Sequence, residues 1–486
     1  MYTTKSKFVS SNRDYNQTIC WRMLSDGQSE EIFLTAAELL ERSGAQVANK
    51  RALEIFAKGG CWVDGDMVRI PSTKLDWAIR TAPSRLTVCN QQGKRAVMME
   101  SENVAYGPAW GATKIMDLKT GEPRAITLED VASQMHLSEQ LEDIEFVSAF
   151  GAAEGMDGVP GLKALEQVIR YSTKPIVHPA CCAKHAAYAT EMAAAAAGGM
   201  EAMRRNPYIV LCATCDEPRW HSEEALDVVM YAAENGVPCI YNNKLVAGQT
   251  APASSAGTLV VALANYLVAL TLAQLVREGA PLIAGCQFSF YDEDNKTTPS
   301  GAPETSLMGA GFANLLRWLR LPTFTVSGIT DSMASDSQLG VECGMNLLTS
   351  SLAGTNMISG GLLGSGTTAS FTLLVIAEEV MTQVYRIMRS FAIDEDRKAV
   401  GVYDKVEPGG SYLGEEHTTL FFKPEQYWPN LFSRLRIQDW QAAGSKSLGQ
   451  RATDFVETLL ANPRAECDKK IADAVHAVVA KAEKDK

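Results

Sequence analysis

From about residue 104 onward, short apolar runs alternate with longer stretches of helical periodicity, and this alternation constrains the fold more than any other feature. The runs are 104–107 "VAYG", 144–150 "IEFVSAF", 175–178 "PIVH", 208–213 "YIVLCA", 237–241 "VPCIY", 281–285 "PLIAG", 322–327 "PTFTVS" and 355–359 "TNMIS". Near-continuous apolar runs describe strands buried on both faces, the habit of parallel sheets. Helical patterns follow them near 128–142, 160–172, 183–204, 221–235, 255–277, 304–320, 338–352 and 370–393. Eight strand–helix units in succession predict an α/β fold, a (β/α)8 TIM barrel over 101–395. An open doubly wound sheet is the alternative. Residues 1–100 read as an N-terminal helical and hairpin region. It has helix-like spacing over 29–58, capped by Ser29 and ended by Gly59-Gly60, then hairpins around Asp64-Gly65 and Gln92-Gly93 with a helix near 73–82 between them. Residues 396–486 read as a helical tail that packs on the barrel or makes an oligomer contact.

Composition narrows the function. The chain has 486 residues and a net charge of -12, which gives nucleic-acid binding no electrostatic support and suits a cationic ligand. Its 11 cysteines are irregularly spaced and the N-terminus lacks an apolar core, so reduced thiols and a cytoplasmic location are expected. Residues 256–276 carry no charge and are long enough to span a bilayer, but Asn265, Tyr266, Thr271 and Gln274 interrupt them, so a buried helix is expected.

In a barrel the strand C-termini share one rim, and sites form there. The aromatic residues Tyr106, Trp110, Trp220, Phe288, Phe290 and Tyr291 fall at or beside strand ends. Aromatic faces attract a quaternary ammonium, at roughly 0.5–2 kcal/mol per good contact, although they equally cap cores. Carboxylates at Asp216, Glu304 and Asp331 would add attraction. His178, Cys181, Cys182 and His185 offer soft and imidazole ligands, as do Cys212 and Cys215, but neither group has zinc-site spacing, and structural thiols are the preferred reading. The stretch "SGGLLGSGT" matches no phosphate loop. Gly360, Gly361 and Gly364 would let a large planar partner approach the backbone.

Four segments resemble a known family: "LVAGQTAPASSAGTLVVALANYLVALTLAQLVREGAPLIAG" (245–285), "GAPE" (301–304), "GLLGSGTT" (361–368) and "PGGSYLGEEHT" (408–418). They look like the trimethylamine methyltransferase family, and more narrowly its non-pyrrolysine, glycine betaine methyltransferase-like branch. The resemblance implies a barrel that binds no metal of its own. It also implies methyl transfer from a methylated amine to the Co(I) of a corrinoid (cobalamin) carried by a partner protein. The family often has Asn-Ala-Glu where this chain has Ala264-Asn265-Tyr266, which puts any carboxylate role there in doubt. No pyrrolysine is present, so a permanently quaternary ammonium is preferred to trimethylamine. Glycine betaine comes first, with proline betaine, carnitine and γ-butyrobetaine close behind. Lys244, Asn242, His417 or backbone N–H groups near Gly360 are expected to bind the substrate carboxylate. Asp331 and Glu304 are the expected catalytic carboxylates, and Asp331 alternatively caps the helix beyond Ser335. The partner would dock on the rim, so an exposed apolar patch is expected there. Two rivals remain at this point: a non-catalytic betaine-binding protein, and a metal-dependent barrel enzyme acting on a carbonyl or hydroxyl substrate.

Overall fold

The computed structural model describes residues 19–485. Seven parallel strands form the central sheet: Ala105–Pro108, Ile176–Pro179, Ile209–Cys215, Cys239–Ala247, Leu282–Phe290, Thr323–Val326 and Met357–Gly360. From the third strand to the seventh each pairs with the next in sequence, and the seventh pairs with the first. The gap between the first and second strands is filled by the 144–150 run. Glu145 N donates to Tyr106 O at 2.8 Å, Val147 N to Pro175 O at 2.8 Å, and Val177 N to Val147 O at 2.8 Å. This eighth stave closes the ring, so the sheet is a barrel and not an open doubly wound layer. Beyond Val147 its partners are a side chain and the backbone of Ala112, whose N donates to Phe150 O at 3.1 Å. Gln134, on the helix Leu128–Gln140, donates from Nε2 to Ser148 O at 2.7 Å and accepts from Phe150 N at 2.9 Å.

Alternation along the strands decides which side chains face the lumen. Val177, Val210, Ile240, Ile283, Phe324 and Met357 pack there with Phe146 into one apolar plug. The hairpin Leu86–Cys89/Arg95–Met99 closes the lower end through Val88, Val97 and Met99. Phe146 needs a glycine opposite: a Cβ on Gly107 would lie 2.4 Å from Phe146 O and 2.6 Å from its ring. The opposite parity packs against the surrounding helices.

Two expectations change. The helix-like stretch 29–58 is broken in three: helix Asp26–Arg42, strand Ala45–Val47 and helix Lys50–Lys58. Gly44 makes the break at φ +69, where a Cβ would meet Val68 O at 2.4 Å. Ser29 is buried inside the first helix; the cap is Ser25, in a capping box with Gln28. The fourth and fifth strands run to Ala247 and Phe290, well past the expected ends at 241 and 285.

The apolar stretch forms the 22-residue helix Ser255–Val276, 83% buried over its most apolar window. Lys174 Nζ is buried and donates to the carbonyls of Ser138, Leu141 and Ile144 at 2.5, 2.8 and 2.5 Å, closing the C-terminus of the helix Leu128–Gln140. Tail helices Leu448–Leu460 and Lys469–Lys484 pack on the barrel helices, and Glu166 accepts from His476 Nδ1 at 3.0 Å.

Candidate functional site

The extra length of the fourth and fifth strands carries polar side chains up the inside of the barrel. Thr214 stands beside Asn242, Asn242 beside Gly285, and Lys244 beside Gln287. Asp216 follows the third strand on the same wall. Thr214, Asp216 and Lys244 are exposed although the barrel surrounds them, so the mouth is open to solvent. Lower down, Asn242 is 4% exposed and its Oδ1 has no hydrogen-bond partner. A Cβ on Gly285 would lie 3.1 Å from that oxygen, so glycine leaves it room. The aromatic surface in the mouth is Trp110, half-buried and stacked on Phe324 at 5.6 Å and 27°.

The charges in this mouth are not spent on each other. Asp216 and Lys244 are close enough for the ammonium to affect the carboxyl, yet among the described residues no hydrogen bond or ion pair holds either one. Partial desolvation by the walls pushes the Asp216 carboxyl above the usual range, and Lys244 opposes that shift. The Asp216 loop is fixed by Asn265 on the buried helix. Its Oδ1 accepts from Arg219 N at 2.9 Å and its Nδ2 donates to Glu217 O at 3.1 Å. An amide that can both accept and donate thus does a positioning job here, while Tyr266, which stands where the family often has a glutamate, is buried and donates from its OH to Leu282 O at 3.1 Å.

The remaining expected residues are scattered. Tyr106 is fully buried with the outward-facing set, near Cys343 and Glu378 of the helix layer. Phe288 points outward too, edge-on to Phe312 at 5.8 Å, and Phe290 shares its parity. Among the described residues Trp110, Phe288 and Phe290 form no cage, because strand alternation puts Trp110 on one side of the wall and Phe288 and Phe290 on the other. Asp331 is a fastener. Its oxygens accept from Ser300 N at 2.8 Å, Gly301 N at 3.0 Å and Ser365 Oγ at 2.6 Å, tying three rim loops together. Glu342, which the sequence did not single out, accepts from Thr330 Oγ1 at 2.6 Å and Asp331 N at 2.8 Å. Glu304 lies exposed in the first turn of the helix Pro303–Trp318.

Gly360 serves the chain's own packing, since a Cβ there would meet Ser327 O at 2.0 Å. Gly361 and Gly364 border the short pairing Leu362–Leu363 with Thr368–Ala369. His417 lies in the tail helix Glu416–Glu425, with its Nε2 3.0 Å from Asp396 O. That tail segment is tied to the C-terminal end of the helix Phe371–Met388, at the opposite end of the barrel from the mouth. His417 is therefore remote from Lys244.

The histidine–cysteine group assembles, but not around one point. His178 Nε2 and His185 Nε2 are 3.2 Å apart, while Cys181 Sγ approaches the other His185 nitrogen, Nδ1, at 3.2 Å. Burial keeps both imidazoles neutral, His185 at about 4. Among the described residues no group of three or more His, Cys, Asp or Glu is placed to hold a metal ion.

Comparison with known proteins follows the same line. The family model "Trimethylamine methyltransferase (MTTB)" matches residues 4–486. A glycine betaine methyltransferase of Desulfitobacterium hafniense (strain Y51) is 29% identical over 447 residues, 91% of this chain and 93% of that relative. The trimethylamine methyltransferase MttB of D. hafniense (strain DSM 10664 / DCB-2) is 28% identical over 465 residues, 94% of this chain and 93% of that relative. The crystal structure of the Methanosarcina barkeri monomethylamine methyltransferase (MtmB) superposes with a TM-score of 0.52 at 13% identity, covering 97% of this chain and 89% of that one, which supports the shared fold. The chain belongs to the trimethylamine methyltransferase (MTTB) family, and it is a methyltransferase.

Proposed function

We propose that this methyltransferase takes a methyl group from a zwitterionic quaternary amine, glycine betaine first among them, and delivers it to the Co(I) of a corrinoid carried by a separate protein. One observation carries the reading: Asp216 and Lys244, at strands whose inner faces line the mouth, hold no partner among the described residues, and Trp110 packs on the same lumenal cluster. A betaine has the matching pair of charges. Its quaternary nitrogen suits Trp110 and the Asp216 carboxylate, and its carboxylate suits Lys244. Asn242 Oδ1, buried and unpartnered, is an acceptor for the polarised C–H of an N-methyl group, a contact of roughly 0.5–1 kcal/mol. The relative named as a glycine betaine methyltransferase points the same way.

The chemistry asks little of acids and bases. When the C–N bond breaks, the amine keeps the electron pair and leaves neutral, so no proton has to be supplied. Co(I) supplies the nucleophile. The chain's task is to hold the methyl group in line at the mouth and keep water from it. Asp331 and Glu342 contribute by fixing the rim loops. Exposed Leu307, Met333, Val341 and Met345, on elements that adjoin the rim, provide apolar surface for the corrinoid protein.

The test is a methyl-transfer assay with a reduced corrinoid protein and a panel of amines, followed by loss of the Co(I) absorbance. Turnover with a carboxylated quaternary amine and none with trimethylamine supports the proposal. If a corrinoid protein shown competent with another methyltransferase gives no turnover with any quaternary amine, and calorimetry detects no binding of the same panel, the substrate class is wrong.

A further inference from the structure

Two cysteines stand side by side where the strand Ile176–Pro179 hands over to the helix Ala183–Ala196, at the C-terminal rim of the barrel. Of the eleven cysteines seven are buried, and Cys20, Cys181, Cys182 and Cys467 are half-buried. Cys20 lies against Arg317 and Cys467 beside Arg170, on different elements. Only at 181–182 do two accessible sulfurs therefore stand together.

Their surroundings are those of a working thiol. His185 Nδ1 takes the Cys181 backbone N–H at 3.4 Å, so that nitrogen carries no proton of its own. The Cys181 thiol, 3.2 Å away, donates to the same lone pair. The other nitrogen of His185, Nε2, then holds the ring proton and donates it to His178 Nε2 at 3.2 Å. A thiol, a base and a group that orients the base thus stand in line. The Gly158 amide, at the N-cap of the helix Val159–Tyr171, also faces this sulfur and favours its anion. Burial outweighs that and pushes the Cys181 thiol up to about 11, so at neutral pH it keeps its proton until a base removes it. The Cys182 side chain is in contact with Cys181 and makes no cap hydrogen bond to its own helix.

We infer that Cys181 and Cys182 are a redox-active dithiol that a low-molecular-weight disulfide converts to a vicinal disulfide, with His185 as the base. Cys182, whose sulfur is not tied to the imidazole, attacks one sulfur of the external disulfide as its thiolate. A mixed disulfide forms on Cys182, and the first small thiolate leaves and takes up the proton that Cys182 gave up. Cys181 then attacks the Cys182 sulfur while its proton passes to His185 Nδ1. The bond between the two cysteines forms, and the second small thiolate leaves with that proton. The pair loses two electrons and two protons, and the external disulfide becomes two thiols. The bridge is made to be reversed. Neighbouring Cα atoms are held about 3.8 Å apart, against the usual range of roughly 4.4–6.8 Å, and a strained disulfide is easily reduced. On the function proposed above, an oxidation-sensitive bond then stands on the rim where a strongly reduced acceptor must dock; the readouts below do not depend on that function.

The experiment exposes the native full-length protein to oxidised glutathione, quenches it in acid, alkylates it in denaturant and weighs the peptide that spans Cys181 and Cys182. The expected wild-type peptide is unalkylated and lighter than its reduced form by two hydrogens, and dithiothreitol restores the reduced mass. Cys181→Ser should stop at one glutathione on Cys182. His185→Gln should gain glutathione at the wild-type rate but close the ring roughly 100-fold more slowly. Circular dichroism checks that both variants are folded, and the wild-type masses need no variant. A wild-type peptide with both cysteines alkylated, or one that keeps glutathione without closing, overturns the proposal. A folded His185→Gln variant that closes at the wild-type rate overturns the role of His185.

Discussion

Replacing Lys244 by methionine removes one charge from the mouth and little else. The side chain is exposed, holds no partner among the described residues and makes no contribution to the apolar plug. A substrate carboxylate about 5 Å from the ammonium, in a wet cleft of effective dielectric about 40, gains about 2 kcal/mol. Solvent screening brings the lower bound to about 1 kcal/mol, so KM for a betaine should rise roughly 5- to 30-fold. A quaternary amine of similar size with no carboxylate should keep its KM. The assay is therefore a ratio, KM for glycine betaine over KM for a choline-like analogue, compared between wild type and Lys244→Met. A second readout comes from Asp216. Lys244 lowers that carboxyl, so its loss should move the acid limb of kcat/KM to higher pH. An unchanged KM ratio would refute the assignment of Lys244 to the substrate carboxylate, whatever happened to overall activity.

Asp216→Asn should weaken binding of every quaternary amine about 10-fold, and abolish the same acid limb. Because the folded carboxyl holds its proton more tightly than the unfolded one, stability falls as pH rises through the window from the usual carboxylate range to the raised one. The neutral amide removes that loss, so the melting temperature of this variant at neutral pH should rise. The histidines predict acid behaviour. His185 stays neutral down to about 4 and His221 down to about 3, against an unfolded value near 6.5, so their stabilisation is complete above pH 6.5 and is lost as pH falls toward those values. His185 alone accounts for about 3 kcal/mol at 1.36 kcal/mol per unit, measurable by denaturant titration between neutral pH and pH 4. Asp331→Ala should lower kcat about 10- to 100-fold through misplaced rim loops, with faster exchange of amides near 300 and 365 as the check. Lys174→Met leaves three carbonyls without their donor and should cost about 3 kcal/mol in chemical denaturation.

Much of the architecture was legible because a barrel strand is buried on both faces and reads as an apolar run. What misled is the same physics at the mouth. Asn242, Asn243 and Lys244 look like the start of a loop, yet they continue a strand whose inner wall is wet. Ending that strand early, and likewise its neighbour at 285, lost the count that decides parity. Phe288 and Phe290 then seemed to be at the rim, although they alternate with Gln287 and face the helices. Trp110, Asp216 and Lys244 were visible as aromatic and charged residues next to strand ends. Glu342 was not, since nothing local distinguishes a glutamate one turn into a helix from any solvated one, and its role depends on loops brought in from far along the chain. The helix break at Gly44 was hidden for a similar reason: the residue it must avoid, Val68, comes from a later strand.

The stave at 144–150 gives the wall an uneven stiffness. Above Val147 it forms no continuous ladder and is steadied by the amide of Gln134 and by one backbone bond, Ala112 N donating to Phe150 O at 3.1 Å. Releasing it there costs three hydrogen bonds, about 1 kcal/mol each, and breaks no regular ladder. The next turn of chain, through Ala112 and Gly151, leads directly to Trp110. The wall is thus less continuously bonded on the Trp110 side than along the strands that carry Asp216 and Lys244. On the function proposed above, the hold of the helix Leu128–Gln140 and of Ala112 on this one stave would then bear on the bulk of the amine that fits.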